Sequence, residues 1–142
     1  GSRSSAFVFE ALFNMQRAVF AARHTLGRRA LGTSLPRFGG IVAVEGLADM
    51  DKAKAGKTSV SYFTASWCPP CKVISPVFTE LAASNDNAAF LKIDVDSNEE
   101  ACAKYEIRSV PTFVFEKDGE TLARLQGADQ ARLEALVKQH CK

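Results

Sequence analysis

No apolar run in this chain is long enough to span a membrane, because Glu10, Asn14, Gln16 and Arg17 interrupt the best candidate. Cysteine is scarce: Cys68, Cys71, Cys102 and Cys141 are too few and too clustered for a secreted disulfide scaffold. There are two histidines, His24 and His140, and no second closely spaced Cys or His pair. That lack argues against a structural zinc site built from Cys68 and Cys71 with Cys102, Cys141 or a histidine. Asp94, Asp96, Glu99 and Glu100 lack the spacing of a calcium loop and read as caps for the helix that follows. The net charge is only +2 over 142 residues, so composition gives no argument for a nucleic-acid partner. Internal repeats and low-complexity segments are also missing.

The charge is unevenly placed. Residues 1–40 hold six arginines against Glu10, a balance of +5, and the remaining 12 basic and 15 acidic residues leave −3 for residues 41–142. A basic arm precedes a mildly acidic body. From Ser5 to Leu31 the arm has helical periodicity. Arg3, Glu10, Asn14, Arg17, His24 and Arg28 fall on one stripe, and Val8, Phe9, Leu12, Phe13, Val19, Phe20 and Leu26 lie mostly elsewhere. An amphipathic, Arg-rich, Ser-containing segment almost free of acids predicts mitochondrial targeting. The competing reading is an amphipathic helix that stays with the protein, docking to a partner or contacting a membrane surface. Gly32–Gly40 reads as a linker.

The body, residues 41–142, alternates short apolar runs with helical stretches. Strands are predicted at Ile41–Val44, Ser59–Phe63, Phe90–Val95, Pro111–Phe115 and Thr121–Leu125. Helices are predicted at Leu47–Ala55, Pro70–Ser84, Asn98–Tyr105 and Asp129–Gln139, with Asp129 as N-cap of the last. Lys117–Asp118–Gly119 is a hairpin turn signal. The order βαβαβαββα, opening with βα units and closing with a hairpin, predicts an α/β fold with a central mixed sheet between two helical layers.

One motif carries chemistry. Cys68–Pro69–Pro70–Cys71 stands where a strand ends and a helix begins. A helix N-terminus offers unpaired N–H groups and the positive end of the macrodipole, which both favour a thiolate. A lowered thiol pKa makes Cys68 nucleophilic, and Cys71 is close enough to resolve a mixed disulfide formed there. Proline is tolerated in a first helical turn; two in a row stiffen the loop, remove two backbone donors and tune the redox potential. Cys102, between two alanines, reads as a buried inert cysteine, and the penultimate Cys141 as exposed and incidental.

Trp67–Cys68–Pro69–Pro70–Cys71–Lys72 resembles the active site of thioredoxins, usually Trp–Cys–Gly–Pro–Cys–Lys. The resemblance continues at Val110–Pro111–Thr112, which looks like the family's cis-proline loop, and at Gly127 before the last helix. It covers about residues 41–142. It implies a thioredoxin-like three-layer sandwich with an N-terminal helical extension, acting as a protein-disulfide reductase in mitochondrial redox homeostasis. Cys68 would be the attacking thiolate and Cys71 the resolving thiol. Trp67 would shield the pair and contact substrate, with Pro69 and Pro70 between the thiols. Pro111 would be cis against the disulfide, with the backbone at Val110 pairing with an extended client.

No organic cofactor or metal is implied. Partners would be disulfide-containing clients and, as electron donor, a thioredoxin reductase or small dithiol. The chain departs from the pattern at two places. Tyr62 stands where thioredoxins usually carry a buried aspartate, and Thr64 where they carry a tryptophan; the aspartate's lysine neighbour is retained as Lys92. A phenol is a poor base at neutral pH, so Cys71 is expected to lose its proton with less help and to release product more slowly. The Pro–Pro pair also occurs in tryparedoxins, which leaves a tryparedoxin-like carrier of electrons to peroxidases as an alternative. A redox-gated binding or structural module is another.

Overall fold

The computed structural model describes residues 37, 38 and 40–142. The helical and targeting reading of residues 5–31 lies outside the described residues. Strand β1 is Arg37–Phe38, β2 Ile41–Val44, β3 Thr58–Thr64, β4 Ala88–Asp94, β5 Thr112–Lys117 and β6 Glu120–Gln126. Helix α1 is Leu47–Lys54, α2 Pro69–Ser84, α3 Glu99–Lys104 and α4 Gln130–His140. The sheet order is β1-β2-β4-β3-β5-β6, parallel between β2, β4 and β3 and antiparallel elsewhere.

The predicted order of elements is observed. The two-residue β1 falls inside the stretch read as linker and pairs antiparallel with β2, Arg37 opposite Val42 and Phe38 opposite Ile41. Two residues carry no periodicity, so sequence reading could not see it. Gly40 in the following turn has φ of +86°, and a Cβ there would sit 2.6 Å from the Ala82 carbonyl oxygen on α2. Only glycine fits so close to that backbone. The hairpin between β5 and β6 turns on Asp118 and Gly119, both at positive φ, as the turn signal predicted.

Central position explains the make-up of β3. From Ser59 to Thr64 every residue is buried, and alternate side chains enter two different cores. Val60 and Tyr62 pack with Ile74, Phe78 and Ala82 of α2 and Leu133 and Val137 of α4. Phe63 packs on the opposite face with Met50 of α1, Ala101 of α3 and Tyr105. The three-layer arrangement is thus the one expected. Asp129 caps α4 by accepting from the Arg132 N–H at 3.0 Å.

Two expectations are corrected. Cys141 is 3% exposed, because α4 lays it into the core with Phe115 and Val137. Asp94 and Asp96 do not cap α3, whose N-cap is Asn98, held by Nδ2 bonds to the carbonyls of Val44 and Asp94. Glu99 and Glu100 do occupy its first turn, at the favourable end of the dipole.

Candidate active site

Strand β3 delivers the chain to the C-terminal edge of the sheet, where a tight turn closes with the Cys68 N–H on the Ala65 carbonyl. Cys68 is then the N-cap of α2, in extended conformation, with Pro69 and Pro70 opening the helix. The prolines lack N–H groups, so the first amide free to donate is that of Cys71. It donates to the Cys68 sulfur at 3.2 Å. The helix terminus thus aims its available hydrogen bond at the first cysteine.

Cys68 and Cys71 form a disulfide and are each 2% exposed. They pack with Ala65, Val95 and Val110. The Val110–Pro111 peptide is cis, as expected from the Val–Pro–Thr context. The Pro111 carbonyl accepts from the Gly127 N–H at 2.8 Å, which ties this loop to the start of the segment before α4. The loop and the disulfide therefore meet although they are about 40 residues apart in sequence.

Trp67 is 64% exposed beside the disulfide, and Val73, one turn into α2, is exposed too. The indole N–H donates to the Asp96 carboxylate, at 3.1 Å for the nearer oxygen. Asp96 was not assigned to the site from sequence; its spacing from Trp67 carries no local signal. Trp67, Pro69 and Pro70, next to the cysteines in sequence, are exposed while the S–S bond itself is buried.

Beneath the site, Tyr62 is fully buried and stacks on Phe113 with ring centroids 4.7 Å apart. Its hydroxyl donates to the Cys71 carbonyl at 3.0 Å. Burial pushes its phenol above the ordinary value, so it keeps its proton. Lys92 pairs in register with Tyr62 across the parallel β3–β4 ladder, but its side chain is exposed. It reaches a cleft of about 220 Å³ lined also by Thr64, Cys71, Lys72, Ser75 and Asp94. Thr64, at the usual tryptophan position, is buried on the wall of that cleft.

The other thiols are apart from this chemistry. Cys102 is half-buried, its thiol directed at the Val95 carbonyl, and its pKa is raised by burial and by Glu99, Asp94 and Asp96. Burial pushes Cys141 up to about 11. Among the described residues, no group of three or more His, Cys, Asp or Glu side chains could hold a metal ion. No described helix is long and apolar enough to cross a membrane.

Comparison with known proteins agrees with this geometry. The thioredoxin family model matches residues 49–139. The chain is 46% identical over 94 residues to a rice H-type thioredoxin, covering 66% of this chain and 77% of that one. It is 36% identical over 107 residues to a TPR repeat-containing thioredoxin of Arabidopsis thaliana, of which it spans only 28%. Among solved structures, the thioredoxin of Malassezia sympodialis superposes with a TM-score of 0.69 at 34% identity, covering 76% of this chain and 96% of that one. Mitochondrial thioredoxin 3 of Saccharomyces cerevisiae gives 0.65 at 32% identity, with 70% and 94% covered. With its cysteine pair joined at a helix N-terminus, the chain belongs to the thioredoxin family of thiol–disulfide oxidoreductases.

Proposed function

We propose that this protein reduces disulfides of client proteins by dithiol exchange at Cys68 and Cys71, in the mitochondrion. The observation that carries the chemical reading is the Cys71 N–H donated to the Cys68 sulfur at the N-terminus of α2. A sulfur held there is favoured as a thiolate. In the reduced protein the Cys68 thiolate attacks one sulfur of a client disulfide. A Cys68–client bond forms, and the other client sulfur leaves as a thiolate that takes a proton from solvent. Cys71, as thiolate, then attacks the Cys68 sulfur. The client's second sulfur departs, and the Cys68–Cys71 disulfide present in this structure is formed. Two electrons have passed from the dithiol to the client.

The remaining residues have supporting places. Trp67, Pro69, Pro70 and Val73 offer an apolar surface for a client segment, and Val110 and Pro111 present main chain next to the sulfurs. Tyr62 holds the Cys71 carbonyl. Lys92 contributes charge to the cleft beside Cys71. The exchange uses the disulfide alone and calls on no organic cofactor or metal. A reductase or small dithiol returns the electrons. Placement in the mitochondrion is supported by the basic, amphipathic character of residues 1–40.

Reduction of insulin with dithiothreitol as donor tests the activity, and a Cys71→Ser variant tests the roles. That variant is expected to hold clients covalently at Cys68, and mass spectrometry of the trapped species would name clients and donor. A reduced protein that neither cleaves insulin nor traps clients would favour a binding module instead. Import into isolated mitochondria with and without residues 1–40 tests location; equal uptake of both forms would remove the targeting reading.

A further inference from the structure

Release of the client requires Cys71 to lose its proton, and the groups described so far do not accept it. Cys71 is 2% exposed, so bulk solvent has poor access to its sulfur. Tyr62 is committed as a donor to the Cys71 carbonyl, and burial raises its own pKa. A phenol in that state takes no proton near neutrality.

Cys71 does line the cleft of about 220 Å³ between α2 and the C-terminal ends of β3 and β4. A volume of that size holds several waters. Among the described residues lining it, Asp94 alone carries a carboxylate. Its placement follows from topology. Asp94 pairs in register with Thr64 in the parallel ladder, so both side chains fall on the face that carries α2. A second anchor aims it: one carboxylate oxygen accepts from the Asp96 N–H at 2.9 Å, which leaves the other oxygen free to bond elsewhere.

We propose that Asp94 is the proton acceptor for Cys71, working through water in this cleft, in place of an acid beneath the cysteines. The inference rests on the disulfide-reductase reading above. The Cys71 proton moves through water to the Asp94 carboxylate. The Cys71 thiolate attacks the Cys68 sulfur, the Cys68–client bond breaks, and the client sulfur leaves with the electron pair. Asp94 then returns its proton to the departing thiolate or to solvent. The cleft itself carries Lys72 on α2 and Lys92 on β4, and the adjoining cleft that shares Asp94 carries Glu45; Asp96 follows β4, and the neutral Cys102 thiol and Glu99 of α3 approach Asp94 from the other face of the sheet.

The test separates attack from release. Reduced protein mixed with 5,5′-dithiobis(2-nitrobenzoate) gives one thionitrobenzoate when Cys68 attacks and a second when Cys71 resolves. Asp94→Asn keeps an oxygen for the Asp96 N–H; it is expected to leave the first phase unchanged and slow the second roughly tenfold near neutral pH. The second phase should also recover only at higher pH, and Asp94→Glu should restore it. Asp94→Ser serves as a second variant if circular dichroism shows the first to be misfolded. A second phase in Asp94→Asn that superimposes on the wild type from about pH 6 to 9 overturns the proposal. So does equal slowing at every pH, which marks a structural effect. A wild-type protein with no second phase would instead overturn the reductase reading itself.

Discussion

The Tyr62 hydroxyl donates to the Cys71 main-chain carbonyl across 3.0 Å, so the side chain at the usual acid position grips the backbone of the resolving cysteine. The sequence comparison of Tyr62 with an acid addressed only proton removal. The structure adds a positional role: β3 is tied to the first turn of α2 directly beneath the disulfide. The same ring stacks on Phe113 and lies 4.9 Å from Phe78 by centroids, so it is also a core residue.

Tyr62→Phe should keep the ring packing and lose one buried hydrogen bond, at a cost of about 1 kcal/mol in urea unfolding. Insulin reduction should survive. Tyr62→Asp removes the aromatic contacts and buries a carboxyl group, so its loss of stability should be larger, about 3 kcal/mol. If Tyr62→Asp left both turnover and its pH profile unchanged, the residue at this position would have no bearing on Cys71 deprotonation.

Trp67 is the chain's single tryptophan, and Asp96 holds its indole N–H. Asp96→Ala should cost at most about 0.5 kcal/mol, since the bond is exposed. It should free the indole to change orientation, which raises KM for insulin while leaving kcat nearly unchanged. Intrinsic fluorescence reports the change at one known site. Unchanged KM with altered emission would remove the indole's orientation from client binding.

At the opposite end of β5, Lys54 and Glu116 form an ion pair at 2.5 Å, with Tyr105 bonded to both. Burial alone would lower the Lys54 pKa, but the hydrogen bonds to Glu116 and Tyr105 outweigh it and the net shift is upward. Tyr105 is raised as well, first by burial. Both folded-state values lie above the unfolded ones. The stability they contribute is therefore complete below about pH 10 and lost as pH rises through the folded values. Urea midpoints measured from neutral to strongly alkaline pH should show this loss. In Lys54→Met the loss should be smaller, because the variant is already destabilised at neutral pH, by about 2 kcal/mol. An identical alkaline slope in wild type and variant would exclude the pair as its cause.

The thiols outside the site should be slow. With its pKa near 11, Cys141 is ionised at about one part in a thousand at pH 8, and it is buried besides. Iodoacetamide treatment of the oxidised protein should label Cys102 and Cys141 slowly, and prior reduction should add rapid labelling at Cys68. Rapid labelling of Cys141 in the oxidised protein would show that the end of α4 opens readily.

Local chemistry in the sequence was enough for the order of elements from β2 onward and for the cysteine pair at a helix start, and the family resemblance supplied the cis-proline loop. Ser59–Phe63 announces a strand by its residue types, Cys68–Pro69–Pro70 announces a helix start, and Asp118–Gly119 announces a turn, because each depends on neighbours a few residues away. What depended on distant neighbours came only with the fold. Arg37–Phe38 is a strand because β2 offers it an edge. Cys141 is buried because α4 crosses the sheet beside Phe115. Asp94 shares a cleft with Cys71 because the parallel register sets Thr64 against Asp94 and aims both toward α2. The sequence spacing of these two residues is silent on that meeting, since strand register is fixed by sheet pairing and core burial, not by separation along the chain.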